Sequence, residues 1–422
     1  MKYKITLLLA CLALAFVLPC GAATLDDCFR AALKQSESLA GQQELVKQAS
    51  EHYRQALAAM LPSLNANFIS YNYDTTQVGT SSGFVSNPSS ARLTLSLPLF
   101  RGFRDFAALG QTQNLTAAQR QAYSAAALQL YGDVAQAFYL VRSLEDDLAI
   151  RQNEIGLYDQ RIADLERRVA IGRSRQTEVL TVQVALATLV AEINQDRAAL
   201  AAARELLAFL TGLPVDGRLQ DDIGLPDRLD PPDIYLNRLD ERPDVKAASL
   251  ETAAAQNDLD IARRAYLPSA DLSGNYYFSR SQSSLMNSKW DLTATLSQPL
   301  FQGGYLVSKQ AEAESLLRQS RLDFQRVRRL AEQSLRTLYQ QVACELAQTR
   351  DFKVAAQLAE ENYKAESADY LNGLVTNLDV LAALTAYHDT ARAYTAALFA
   401  AKSDLGRLRA AAVLVELPEP KQ

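Results

Sequence analysis

The chain has 422 residues, of which 48% are hydrophobic and 22% charged, and its formal net charge is −5. An acidic chain without a basic stripe is excluded as an ordinary nucleic-acid binder, because neutralising phosphates needs clustered Lys and Arg. The apolar content allows one large core or several small ones, and abundant alanine favours helices packed closely side by side.

At the N-terminus, Lys2 and Lys4 precede an apolar run from Ile5 to Leu18, followed by small residues in CGAATLDD. This pattern predicts a secretory signal over residues 1–23, too short for a membrane span. Cleavage after Ala23 leaves Thr24 first and takes the formal charge from −5 to −7. Cys20 offers a rival, acylation as a lipoprotein, although Pro19 stands where such a site wants a small residue. No later apolar run approaches twenty residues, so no membrane-spanning helix is expected.

Residues 24–212 then read as a first repeat: helix, strand (about 62–75), loop, strand (about 90–101), a long helix, a glycine turn and a helix. Leu93, Leu95 and Leu97 alternate with Arg92, Thr94 and Ser96, the period-two pattern of a half-buried strand. From about Asp105 to Ile171 the helix runs some 67 residues, roughly 100 Å at 1.5 Å per residue. After Gly172, Val179, Val182, Leu186, Leu189, Ile193, Leu200, Ala203, Leu207 and Leu210 step by threes and fours, a coiled-coil seam that only Asp196 interrupts.

A Pro/Gly/Asp-rich linker over 213–236 leads to a second repeat over 237–412, with strands about 268–279 and 290–301, and a tail over 413–422. Gly172 and Gly373, Val179-Leu180 and Val380-Leu381, and Pro98 and Pro299 are each 201 residues apart. The chain therefore states one unit twice. Pro62 and Pro268 end the helices before the first strand of each half.

Four strands cannot close a barrel, and single-chain bacterial membrane barrels begin at eight. Strands facing lipid therefore require several chains in one barrel. Two chains would leave an interior filled by side chains, so a pore favours at least three. Helices of this length suit a structure that projects from a membrane across an aqueous space.

The start TLDDCFRAALKQS, the phrase RPDVKAASLETAAAQNDLDIARRAYLPS, the proline-bounded strands and both glycine turns resemble the TolC-like outer-membrane efflux proteins over residues 24–412. The resemblance implies a mainly α fold with a β-barrel part. It implies a homotrimer with a twelve-stranded barrel in outer-membrane lipid and a long α-helical barrel in the periplasm. The function it implies is the passive exit duct of a tripartite efflux or type I secretion system, with a periplasmic adaptor and an inner-membrane transporter as partners. Gly172, Arg173, Arg175, Gly373, Leu374 and Val375 fall at adaptor-docking tips, although any helix hairpin tolerates glycine after its last turn. Thr177, Glu178, Tyr370 and Asp379 fall at the periplasmic aperture, with Tyr370 matching a tyrosine whose hydrogen bonds hold the closed tip. An acid in a helix's first turn is also favoured by the macrodipole alone. The chain departs from the family at Val375, where a gating arginine can stand, and at Ala382, where a second pore acid can stand.

Arg167, Arg168, Arg173 and Arg175 cluster at the first tip, whereas the second has no cation from Leu371 to Val380. Among chemistry-bearing motifs, neither metal spacing, a phosphate loop nor a nucleophile elbow is found, so no catalysis, cofactor or metal is expected. Cys28 and Cys344 lie at similar helical depths; a disulfide or two free thiols are both open. The alternative function is a structural periplasmic coiled-coil or adaptor protein without a pore.

Overall fold

The structure, a computed structural model, describes residues 23–70, 89–214, 217, 219–280 and 288–417. The signal peptide up to residue 22, Cys20, most of the two serine-rich loops and the last five residues lie outside the described residues. The chain is mostly helical with one small sheet.

In order, the elements are α1 (Leu25–Gln35), α2 (Glu37–Ala58), β1 (Ser63–Ser70), β2 (Ser89–Arg101), α3 (Arg104–Ala170), α4 (Gln176–Thr211), α5 (Pro232–Leu236), a 3₁₀ turn (Leu239–Glu241), α6 (Pro243–Arg264), β3 (Ser269–Ser279), β4 (Trp290–Ser297), α7 (Tyr305–Leu371) and α8 (Asn377–Ala411). α3 and α7 have 67 residues each, about 100 Å of helix apiece. Two compact units divide the chain. One takes the described residues of Met1–Ala40, Ala126–Arg242 and Ala331–Glu419; the other takes those of Gly41–Ala125 and Pro243–Leu330.

The second unit carries the sheet, antiparallel throughout in the order β1-β2-β3-β4. Register puts Leu64 against Leu95 and Leu95 against Gly274, while Leu97 faces Leu272 and Leu272 faces Ala294. One face is thus apolar, and much of it is exposed: Leu64 66%, Leu292 62%, Leu296 76%. The opposite face is polar and internally bonded. Asn67 donates to Thr94 at 3.3 Å, Thr94 to Asn275 at 2.8 Å, and Asn275 to Asp291 at 2.8 Å, so one chain of side-chain hydrogen bonds crosses all four strands.

Proline decides two strand ends differently. β2 runs through Pro98 with a register shift between Pro98 and Phe100, a bulge that absorbs the missing donor. β4 stops at Ser297, short of the expected residue 301, because Pro299 cannot donate to the ladder. The strand-to-helix turn after β2 places Gly102 at φ +62, where a Cβ would lie 2.7 Å from Leu267 Cβ and 3.0 Å from Arg264 O. Here glycine is required by both backbone angle and space.

In the first unit, Thr24 caps α1 through a capping box with Asp27. The stripe Leu25, Cys28, Phe29 and Ala32 enters a core with Tyr131, Val134 and Phe138 of α3, Leu207 of α4 and Phe399 of α8. The expected seam of α4 is present. Val179, Val182, Leu189, Ile193, Ala203 and Leu207 are buried. α4 is also the one helix among the described residues that is long and apolar enough, by length and composition alone, to cross a membrane. Its buried stripe belongs to a packed core instead.

Asp196, the break in the seam, is answered by Arg151 of α3, whose Nε lies 2.7 Å from Asp196 and 3.3 Å from Asp147, and whose Nη1 pairs with Glu192. Asp147 also takes Arg392 of α8 at 2.6 Å. Both cysteines are free thiols, so the disulfide option is corrected: Cys28 points into the core, whereas Cys344 is exposed. Burial, helped by Asp27, pushes Cys28 up to about 11. A maleimide should therefore label Cys344 in the native protein and Cys28 only after unfolding, read by intact mass before and after denaturant.

Candidate functional site

The candidate site is the pair of helix hairpins in the first unit. Each long helix ends in the same way. Gly172 at φ +71 donates to Val169 O at 2.9 Å and Arg173 N donates to Arg168 O at 2.8 Å; Gly373 at φ +77 donates to Tyr370 O at 3.1 Å and Leu374 N to Asp369 O at 3.0 Å. These are paired Schellman closures. Nothing lies within 4 Å of a Cβ built at either glycine, so the backbone angle rather than crowding selects glycine.

The helices that follow the turns begin differently. α8 opens with Thr376 in a capping box: Asp379 N donates to Thr376 Oγ1 at 3.4 Å, and Thr376 N donates to Asp379 Oδ2 at 2.8 Å. The Thr376 hydroxyl and backbone N–H hold the Asp379 carboxyl below the usual carboxylate range. α4 opens at Arg175 with no side-chain cap. A missing cap costs about 1 kcal/mol, and a cation at a helix N-terminus adds roughly 0.3–1 kcal/mol. Glu178 accepts from Ser174 Oγ at 2.6 Å and is half-buried, while Thr177 is exposed. Leu374 is 73% exposed and Val375 half-buried.

Tyr370 is buried, and two guanidinium groups lie over its ring, Arg161 at 3.8 Å and Arg168 at 4.5 Å from the centroid. The resemblance assigned it a hydrogen-bonding role; in this chain its ring provides the contact. Arg161 and Arg168 lie seven residues apart, two turns of α3, and so reach one ring from one face of the helix. Arg161 Nε also donates to Asn377 Oδ1 at 2.8 Å, with Asn377 buried at the first turn of α8. Tyr370, Leu165, Val179, Val182, Val380 and Leu384 share one core, so both hairpins pack together. Sequence reasoning named Tyr370 but missed Arg161 and Asn377. The i, i+7 arginine pair and the polar residue just after the Thr376 cap were the available signals.

Further along α3, Glu154 is buried. Burial raises its carboxyl to about 7, against the pull of the Tyr158 hydroxyl, Arg151 and Arg392. Buried His388 on α8 is pushed down to about 4, mainly by burial, and is neutral at neutral pH. A folded pKa above the unfolded one means the folded state binds more protons between roughly pH 4.5 and 7. Glu154 therefore withdraws stability as pH rises through that window. Glu154→Gln should flatten that part of the dependence, raising the urea midpoint at about pH 8 more than at about pH 5.

The profile described as "Outer membrane efflux protein" matches residues 29–213 and 235–412. The chain belongs to this outer-membrane efflux protein family. It is similar to the cation efflux system protein CusC of Escherichia coli O6:H1, 27% identical over 378 residues that cover 82% of this chain and 77% of CusC. It is also 27% identical over 325 residues to the pyoverdine export outer membrane protein OpmQ of Pseudomonas aeruginosa, covering 72% of this chain and 66% of OpmQ. Among solved structures, the outer membrane protein VceC of Vibrio cholerae superposes with a TM-score of 0.79 at 22% identity, over 92% of this chain and 95% of VceC, which carries the fold. This efflux protein is an outer-membrane channel of tripartite efflux, located in the outer membrane of a Gram-negative cell. The alternative of a pore-less periplasmic spacer is not favoured. The named relatives are efflux and export proteins rather than enzymes.

Proposed function

We propose that three copies of this efflux protein join strand edge to strand edge in one twelve-stranded barrel. Its bore continues through an α-helical barrel to six glycine tips that dock a periplasmic adaptor. The chain supplies no energy; an inner-membrane transporter drives export through the adaptor.

The observation that carries this reading is the sheet itself. It has one apolar, exposed face and one polar, hydrogen-bonded face, with β1 and β4 at its edges. β2 with 13 residues and β3 with 11 meet the roughly 9–11 residues that a tilted membrane strand needs. Phe68, Tyr276, Phe278 and Trp290 gather at one end of the apolar face, and at the other Phe100 at the end of β2 packs edge-on against Phe103, their ring centroids 5.1 Å apart. Aromatic girdles of this kind mark the two rims of a membrane band. The four strands cannot close alone.

On this reading Glu178 and Asp379 contribute carboxylates to the periplasmic aperture, Thr177 lies beside them, and the Tyr370 ring contacts hold the aperture narrow. Unboiled outer-membrane fractions should show a species of three chains that collapses to one on boiling. Leu374→Glu with Val375→Glu should leave that species intact while abolishing export of a pump-dependent drug. Persistence of export in this variant would overturn tip docking.

A further inference from the structure

We propose that the first tip is a docking surface for an acidic partner segment and is chemically distinct from the second; the inference rests on the docking reading above. Between Arg167 and Thr177 the first hairpin carries four arginines and no acid. Between Ala368 and Leu378 the second carries Asp369 and no base. The two turns share one backbone geometry, so the difference lies in the surface alone.

Two of the four arginines have local work. Arg167 pairs with Asp164, and Arg168 lies over Tyr370. Both also occupy the last turn of α3, where the helix dipole favours a cation. Arg173 and Arg175 differ. Both are exposed, and neither makes an ion pair or side-chain hydrogen bond among the described residues.

Arg175 in addition holds the N-cap of α4 without capping it, at the end of a helix that disfavours positive charge. The equivalent position in the second hairpin is Thr376, with a complete capping box. One fold therefore has two solutions at the same position. The first hairpin forgoes a side-chain cap at this position; Glu178, held by Ser174 Oγ, supplies the first turn's only acid, and Arg175 itself gains no partner among the described residues. Local rules broken without a local return point to a surface used in binding.

The chemistry of the occupant follows from the groups displayed. Two guanidinium forks flank an exposed glycine turn, and such forks match carboxylates in geometry and charge. The second tip instead presents Leu371, Leu374 and the half-buried Val375, with Leu371 68% and Leu374 73% exposed. The partner for the first tip is a segment rich in Glu and Asp.

The test uses the full-length channel in detergent and three synthetic helical hairpins whose loops carry glutamates, glutamines or lysines. Fluorescence anisotropy at low salt should show the glutamate hairpin binding at least tenfold more tightly than the glutamine hairpin, with the lysine hairpin weakest. Arg173→Glu with Arg175→Glu should abolish that preference, Arg173→Lys with Arg175→Lys should retain most of it, and Asn372→Glu on the second tip should change it less than twofold. Equal binding of the three hairpins, or equal loss from substitutions at either tip, would overturn the proposal. So would dissociation of the assembly by the Glu substitutions, which would assign these arginines to a second copy of the chain. Export lost in the Leu374 and Val375 variant, with no glutamate preference anywhere, would sink this inference and leave tip docking standing.

Discussion

A Tyr370→Ala channel is expected to conduct at rest and to make cells sensitive to large antibiotics that the wild type excludes. The ring is buried with the Arg161 and Arg168 guanidinium groups over it, and each such cation–π contact contributes roughly 0.5–2 kcal/mol. Removing a buried aromatic side chain costs about 3–5 kcal/mol in all. If only about 3 kcal/mol of this falls on the closed arrangement, the open population rises on the order of 100-fold. The alanine variant also leaves both guanidinium groups without their ring contact.

Tyr370→Phe separates ring from hydroxyl. The ring contacts survive in that variant, so conductance at rest should stay within about twofold of wild type. If a hydrogen bond from the hydroxyl held the tip, phenylalanine would leak as alanine does. Arg161→Met should give an intermediate leak, since it removes one of the two ring contacts and the bond to Asn377 together.

The second large effect is expected at Leu95. This side chain lies in the middle of β2, between Leu64 and Gly274, and is 47% exposed. In a water-soluble protein, substituting so exposed a residue changes stability by about 0.5 kcal/mol or less. On the lipid face of a barrel, an arginine near the midplane costs roughly 2–4 kcal/mol. Three copies place three such charges in one barrel. Leu95→Arg should therefore remove the assembled species from the outer membrane almost completely. Ser96→Arg, one residue along and on the polar face, should assemble normally and alter only conductance. A similar fate for both variants would mean that the two faces do not see different solvents.

Much of this fold could be read from the chain because its signals are periodic. The alternation through Leu93, Leu95 and Leu97 specifies a face whatever its partner, and the spacing of Val179, Val182, Leu189 and Ile193 specifies a stripe. The glycine turns were legible for a related reason. A positive backbone angle after a long helix admits few residues, so Gly172 and Gly373 stand out in one dimension.

What escaped was pairing at a distance. Asp196 read as a flaw in an apolar seam because its partner, Arg151, lies 45 residues earlier on another helix. Arg161 and Asn377 are 216 residues apart, and neither belongs to a motif. The ring contact of Tyr370 was invisible for the same reason, since stacking depends on two side chains brought from another helix. The end of β4 was misjudged because Pro299 cannot donate to the ladder and, unlike Pro98, is not carried through by a bulge.

The most direct measurement is planar-bilayer recording from the purified full-length chain, with its stoichiometry determined by native mass spectrometry in the same detergent. The account predicts three chains per particle and stepwise ion-conducting channels, absent from Leu95→Arg preparations. Single chains that leave the bilayer electrically silent would contradict it.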